Sequence, residues 1–183
     1  ELGATAALTA DPGMNDKSNS DQSPKVVWLQ DILDKEFGKD AATVICPITD
    51  YFVAHHGSFG GFVRVYCNGK VTPQEIMRVA RALPGIETVC DKETAARIFD
   101  LPIDREGDVV VISDVDHCIG MTPDKHDMTG LAGHRLRTHG GLSEAKVPFV
   151  INRPLYETYA ARAARGGLRN FHIFDFAING AEA

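Results

Sequence analysis

Long hydrophobic runs are missing from this sequence. No apolar stretch approaches the roughly 18 residues needed to cross a bilayer, and the first residues carry no basic-then-apolar targeting pattern. No membrane partner is therefore expected, and the cytoplasm is the simplest location. An excess of positive charge is missing as well. The 19 Lys and Arg residues stand against 25 Asp and Glu, a net charge of -6. Such a balance argues against a large phosphate-backbone surface, so nucleic acid is not an expected partner. Paired cysteines are absent too. Cys46, Cys67, Cys90 and Cys118 are widely spaced, with no Cys-x-x-Cys pair, and they read as reduced, mostly buried small apolar residues. Nothing forms a phosphate loop, a dinucleotide fingerprint or a nucleophile elbow. There is no internal repeat and no low-complexity tract.

What remains is ordinary globular material, 44% hydrophobic and 24% charged over 183 residues, enough for one sizeable core or part of a larger domain. The chain begins with Glu, and "ELGATAALTAD" reads as a buried strand of parallel type entered from something upstream. An N-terminal portion is accordingly expected to precede it. Asp11 then stands at the mouth of a turn, followed by a polar loop over 13–25. "VVWLQDILDKEFG" has helical spacing at Val27, Leu29, Ile32, Leu33 and Phe37, with Gly38 as its stop. "ATVICPI" (42–48) reads as a buried strand, so helix and strand alternate as in an α/β fold.

From Phe62, "FVRVYC" reads as a half-exposed strand, and "TPQE" is a capping box before the helix "PQEIMRVARAL". "IETVC" gives a further strand, and Asp91 caps a helix over "KETAARIF". These elements read as a small inserted subdomain. "GDVVVIS" (107–113) is the clearest buried strand. Residues 114–146 form a long segment rich in Gly, His, Asp and Thr, of the kind that is usually functional or disordered. "VPFVIN" returns as a strand, "LYETYAARAARGG" as a helix, and "NFHIFDFAIN" as a last strand.

Imidazole is the commonest transition-metal ligand, and four of the seven histidines lie in the 114–146 segment beside Asp114, Asp116, Asp124 and Asp127. This mixture of nitrogen and carboxylate oxygen suits a cation such as zinc. Asp116 and His117 could share an ion only from a bent loop, and they read as solvated, as do His126 and His134. His139 precedes two glycines, which let a backbone aim a side chain inward, and it is a ligand candidate. His55 and His56 either face a cleft or are hydrogen-bonded structural residues. Cys118 has no basic partner fixed by sequence and is not expected to be a nucleophile.

"TADPGMNDK", "ICPITDYFVAHHGSFGGFVRVY", "GDVVVIS" and "RLRTHGGLSEAKVPFVINRPL", in that order, resemble the C-terminal half of the phosphonoacetate hydrolase family, within the alkaline phosphatase superfamily. The resemblance covers nearly the whole chain. It implies an α/β fold: an alkaline phosphatase-like sheet flanked by helices, with a small α+β capping subdomain. Residues 1–61 and 103–183 would belong to the metallohydrolase core, and 62–102 to the cap. It also implies a di-zinc enzyme that cleaves the carbon–phosphorus bond of phosphonoacetate, an organophosphonate, to acetate and phosphate. Asp11 would bind one zinc and His139 the other. The nucleophilic threonine, the remaining zinc ligands and the lysines that hold the substrate carboxylate would lie outside this chain, so no catalytic residue is named in it. A homodimer would follow from the family alone. One departure stands out. The family's ligand histidine after the aspartate is Pro12 here, and proline offers no lone pair to a metal. One alternative is a related metal-dependent phosphodiesterase or nucleotide pyrophosphatase that shares the metal core, and a second, for which Pro12 is the argument, is an inactive, metal-poor relative.

Overall fold

A computed structural model describes residues 3–48 and 57–182. The chain forms two compact units, one made of Glu1–Gly13 with Lys146–Ala183 and the other of Met14–Ala145. Among the described residues, no helix is long and apolar enough to cross a membrane.

In the first unit, β1 (Ala7–Thr9) pairs antiparallel with β10 (Phe149–Ile151), Leu8 opposite Val150. The expected buried parallel strand is instead a short antiparallel one, and Leu8 is 61% exposed. Asn152 clips the pair, accepting the Ala6 N–H at 2.7 Å and donating to the Ala4 carbonyl at 3.2 Å. Helix α4 (Glu157–Ala164) follows, then α5 (His172–Asp175), which runs into a π-helical turn over Phe176–Gly180. The strand expected over 170–179 is thus helical. Ile173, Phe176 and Gly180 fall on one face at helical spacing and are buried, with the Phe176 ring edge-on to Phe149 and Tyr159 at 5.1 and 5.0 Å. Asp175 fastens the turn, accepting from Tyr159 Oη at 3.0 Å, Arg162 Nη1 at 2.8 Å and Asn179 Nδ2 at 2.9 Å.

In the second unit, β4 (Ala42–Ile45), β5 (Phe62–Cys67), β6 (Ile86–Asp91) and β7 (Val109–Ser113) form one antiparallel sheet in the order β4-β5-β7-β6. Every residue of β7 is buried. The side chains of β7 alternate between faces, as the pleat requires. Val109 and Val111 pack with Leu33 of α1 (Leu29–Phe37) and Ile76 of α2 (Pro73–Arg81). Val110 and Ile112 pack with Ala95 of α3 (Lys92–Phe99). The strands within 62–102 thus share a sheet with β4 and β7, which flank that segment in sequence.

Local chemistry explains the helices. Thr72 Oγ1 accepts the Glu75 N–H at 3.3 Å while Glu75 Oε2 accepts the Thr72 N–H at 2.8 Å, a complete capping box. Asp91 caps α3 through the Thr94 N–H at 2.8 Å. Helix α1 begins later than its periodicity predicts, because Val26–Trp28 forms β3, parallel to β8 (Cys118–Gly120). The 114–146 segment is accordingly not one loop: it holds β8, short 3-10 turns and β9 (Arg137–Thr138).

Candidate metal centre

His139 lies directly after β9, in the second unit. Strand β9 pairs with β2 (Asn15–Asp16), placing Asn15 opposite Thr138. Thr138 is fully buried and its hydroxyl donates to the Phe59 carbonyl at 2.6 Å. The His139 carbonyl accepts the Gly61 N–H at 2.8 Å. Gly140 has φ +104, a conformation open to glycine. A Cβ on Gly61 would come within 2.5 Å of the Gly141 nitrogen, so the two glycine pairs meet backbone to backbone. The glycine-rich stretches "GSFGGF" and "RTHGG" thus form one piece of structure, in which the ligand candidate is held by its own main chain.

Below this turn lies a buried ion pair that the sequence analysis does not single out. Lys17 Nζ sits 3.0 Å from Glu144 Oε1, with side chains 0% and 1% exposed. Lys17 also donates to the Val115 carbonyl at 2.8 Å and the Asp114 carbonyl at 3.2 Å. Glu144 Oε1 accepts from Asn15 Nδ2 and Ser143 Oγ, both at 2.7 Å, and Glu144 Oε2 accepts the Gly141 N–H at 2.7 Å. Burial raises the Glu144 carboxyl, yet Ser143, Lys17 and Asn15 together outweigh it and hold the group below the ordinary range. The available signal was position, since Lys17 lies within "TADPGMNDK" and Glu144 within "RTHGGLSEAK".

Asp11 belongs to the first unit. It is exposed and lines an open cleft of about 240 Å³ with Thr9, Ala10, Asn170, Phe171 and Phe174. Asn170 Nδ2 donates to the Ala10 carbonyl at 3.2 Å, fixing the backbone next to Asp11. Pro12 follows and supplies no donor atom. The two ligand candidates therefore fall in different units: a carboxylate in one, an imidazole in the other. Among the described residues, no group of three or more His, Cys, Asp or Glu is gathered to hold a metal.

His117 and His126 take structural places. His117 is partly buried, its Nδ1 2.7 Å from Asp114 Oδ1, and its ring occupies the space a Cβ on Gly85 would need. Its carboxylate partner is thus Asp114 rather than the adjacent Asp116. His126, expected at the surface, is buried and stacks on Phe59 at 4.4 Å. His134 is exposed, as expected. His55 and His56 lie outside the described residues. All four cysteines are free thiols. Burial pushes the Cys118 thiol up to about 12, which leaves it protonated and poorly nucleophilic.

No family profile matches the chain. Phosphonoacetate hydrolase from Sinorhizobium meliloti 1021, solved in complex with phosphonoacetate and with phosphonoformate, is 44% identical over 99% of this chain, with a TM-score of 0.85. The chain spans 43% of that protein. Phosphonoacetate hydrolase of Penicillium oxalicum is 50% identical over 30 residues, which is 16% of this chain and 42% of the relative. Murine ectonucleotide pyrophosphatase/phosphodiesterase 5 is 22% identical over 84% of this chain and 35% of its own, with a TM-score of 0.53, a likeness of fold alone. The chain therefore spans less than half the length of these relatives. Its similarity to phosphonoacetate hydrolase runs through almost all of it, and its architecture is alkaline phosphatase-like.

Proposed function

We propose that this chain is the portion of a phosphonoacetate hydrolase that contributes Asp11 to one zinc and His139 to another, in an enzyme cleaving phosphonoacetate to acetate and phosphate. The observation that carries the reading is the 44% identity, over 99% of the chain, to the S. meliloti enzyme whose structure holds phosphonoacetate. The donor chemistry agrees. A carboxylate oxygen at an open cleft and an imidazole on a backbone-fixed turn are the ligand types that zinc accepts. Bound zinc would supply Lewis-acid neutralisation of the phosphonate oxygens. In this chain, Asp11 would offer a charged oxygen and His139 a nitrogen whose main chain is already fixed. Pre-fixing of this kind matters because ligand misplacement of about 1 Å is costly to catalysis. The attacking threonine and the lysines that would steady the departing acetate carbanion are assigned to sequence outside these 183 residues.

Pro12 supports a second reading, a metal-poor relative, since the site served by Asp11 would lose an imidazole. Losing a group that merely orients a ligand already costs about 10- to 100-fold in affinity or activity, and losing a ligand should cost more. The test expresses the complete reading frame with Pro12 and with Pro12→His and measures phosphate and acetate released from phosphonoacetate in buffered zinc. Turnover by both forms, slower with Pro12 by more than about 100-fold, is the expected result. Turnover by the histidine form alone would favour the metal-poor reading and mark this chain as a disabled copy. Equal turnover by both forms would overturn the role given to position 12. No turnover by either would overturn the substrate.

A further inference from the structure

We propose that Lys17 and Glu144 are positioning residues for His139, setting the turn that presents its imidazole and so the zinc affinity of that site. The proposal rests on the reading of His139 as a ligand. Neither side chain is open to substrate, since both are almost wholly buried. The three donor directions of the Lys17 ammonium go to two carbonyls and Glu144. Glu144 Oε1 accepts from Lys17, Asn15 and Ser143, and Oε2 accepts the Gly141 N–H. Direct proton transfer and substrate contact are therefore poor roles for the pair.

Stability is a poor account as well. Removing two charges from water is expensive, and apolar groups of similar volume often replace a buried pair without loss. What the pair does provide is direction. Glu144 grips Gly141, two residues after His139. It also holds Asn15, whose strand partner Thr138 immediately precedes His139. The Gly61 N–H holds the His139 carbonyl between these points. The ligand is thereby fixed on both sides, and the carboxylate governs both anchors. Lys17 seats that carboxylate on the backbone of Asp114 and Val115.

The test uses the complete reading frame in three variants: Lys17→Met/Glu144→Leu, Glu144→Asp and His139→Ala. Urea unfolding reports stability, and competition with a chromophoric chelator reports zinc affinity. His139→Ala identifies the part of the zinc titration that belongs to this site. The double variant is expected to fold cooperatively, with that affinity lowered about 10- to 100-fold. Glu144→Asp keeps the charge pair but draws the Gly141 anchor back by one methylene. It is expected to weaken zinc in the same direction, and it carries the test where the double variant does not fold. Wild-type zinc affinity in folded Glu144→Asp, alongside a loss in His139→Ala, would overturn the positioning role alone. Unchanged affinity in His139→Ala would overturn the ligand assignment, and the proposal with it.

Discussion

At His126 the two ring nitrogens meet backbone groups of opposite character. The Met121 N–H donates to Nε2 at 2.9 Å, so Nε2 carries a lone pair, and Nδ1, 2.7 Å from the Gly57 carbonyl, must carry the proton. Only neutral imidazole satisfies both bonds. Burial lowers the affinity of His126 for a second proton, against smaller opposing effects from the Gly57 carbonyl and the Asp124 carboxylate. The unfolded chain takes that proton near pH 6.5 and the folded one only below it. The stability this residue contributes is thus complete above about pH 6.5 and is lost as the pH falls through that value toward the folded pKa. The unfolding free-energy difference between wild type and His126→Gln should be flat in alkaline buffer and narrow below about pH 6.5, by no more than about 1.4 kcal/mol per pH unit. Urea titrations at several pH values check this, and a pH-independent difference would rule it out. The sequence placed this residue at the surface, because position in a polar segment says nothing about the Phe59 ring that covers it.

Among the elements, two glycine turns meet at backbone distance. Gly61 is confined by Gly141 rather than by its own torsions, since an added Cβ would lie 2.5 Å from the Gly141 nitrogen and 2.8 Å from its Cα. Backbone yields less readily than a flexible side chain. Gly61→Ala should therefore cost about 1–3 kcal/mol, the range for overpacking, and should displace the main chain that carries His139. Urea unfolding with zinc titration in the same variant would show both effects, and wild-type behaviour in both would contradict the contact. Element type itself was readable where local chemistry is strong: Thr72 with Glu75, Asp91 with Thr94, and the run of β-favouring residues in β7. It failed over 170–179, where aromatic residues fit either period. There the carboxylate of Asp175, drawn on by three donors, and the pocket around Phe176 decided for helix.

For the molecule as a whole, the unit holding Asp11 leaves much apolar surface in water. Leu8 and Val150 are strand partners and both more than half exposed, while Phe174 and Ile178 are 69% and 77% exposed. Large exposed apolar surface promotes association. The 183-residue chain produced alone should bind a hydrophobic dye and self-associate, and Phe174→Lys with Ile178→Lys should reduce both. Dye fluorescence and light scattering measure this, and a monodisperse, dye-silent chain would contradict it. The second unit differs because α1 and α2 cover one face of its sheet and α3 the other.

Much of this protein is written in short-range order. Periodicity placed the four strands of the second unit's largest sheet, cap chemistry placed α2 and α3, and the "RTHGG" glycines marked His139 as a residue whose backbone could be specially aimed. The motifs around Asp11 and His139 pointed to phosphonoacetate hydrolase, and the likeness to the S. meliloti protein agrees with that. Tertiary structure alone decided the partners across long separations. Lys17 and Glu144 are 127 positions apart, and Gly61 meets Gly141 across a comparable gap in kind. Such contacts depend on which surfaces the sheet and turns bring together, and neither periodicity nor capping carries that information. The same limit explains the division at Gly13 and Ala145: β1 pairs with β10 in one unit and β2 with β9 in the other, so each unit is closed by strands far apart in sequence.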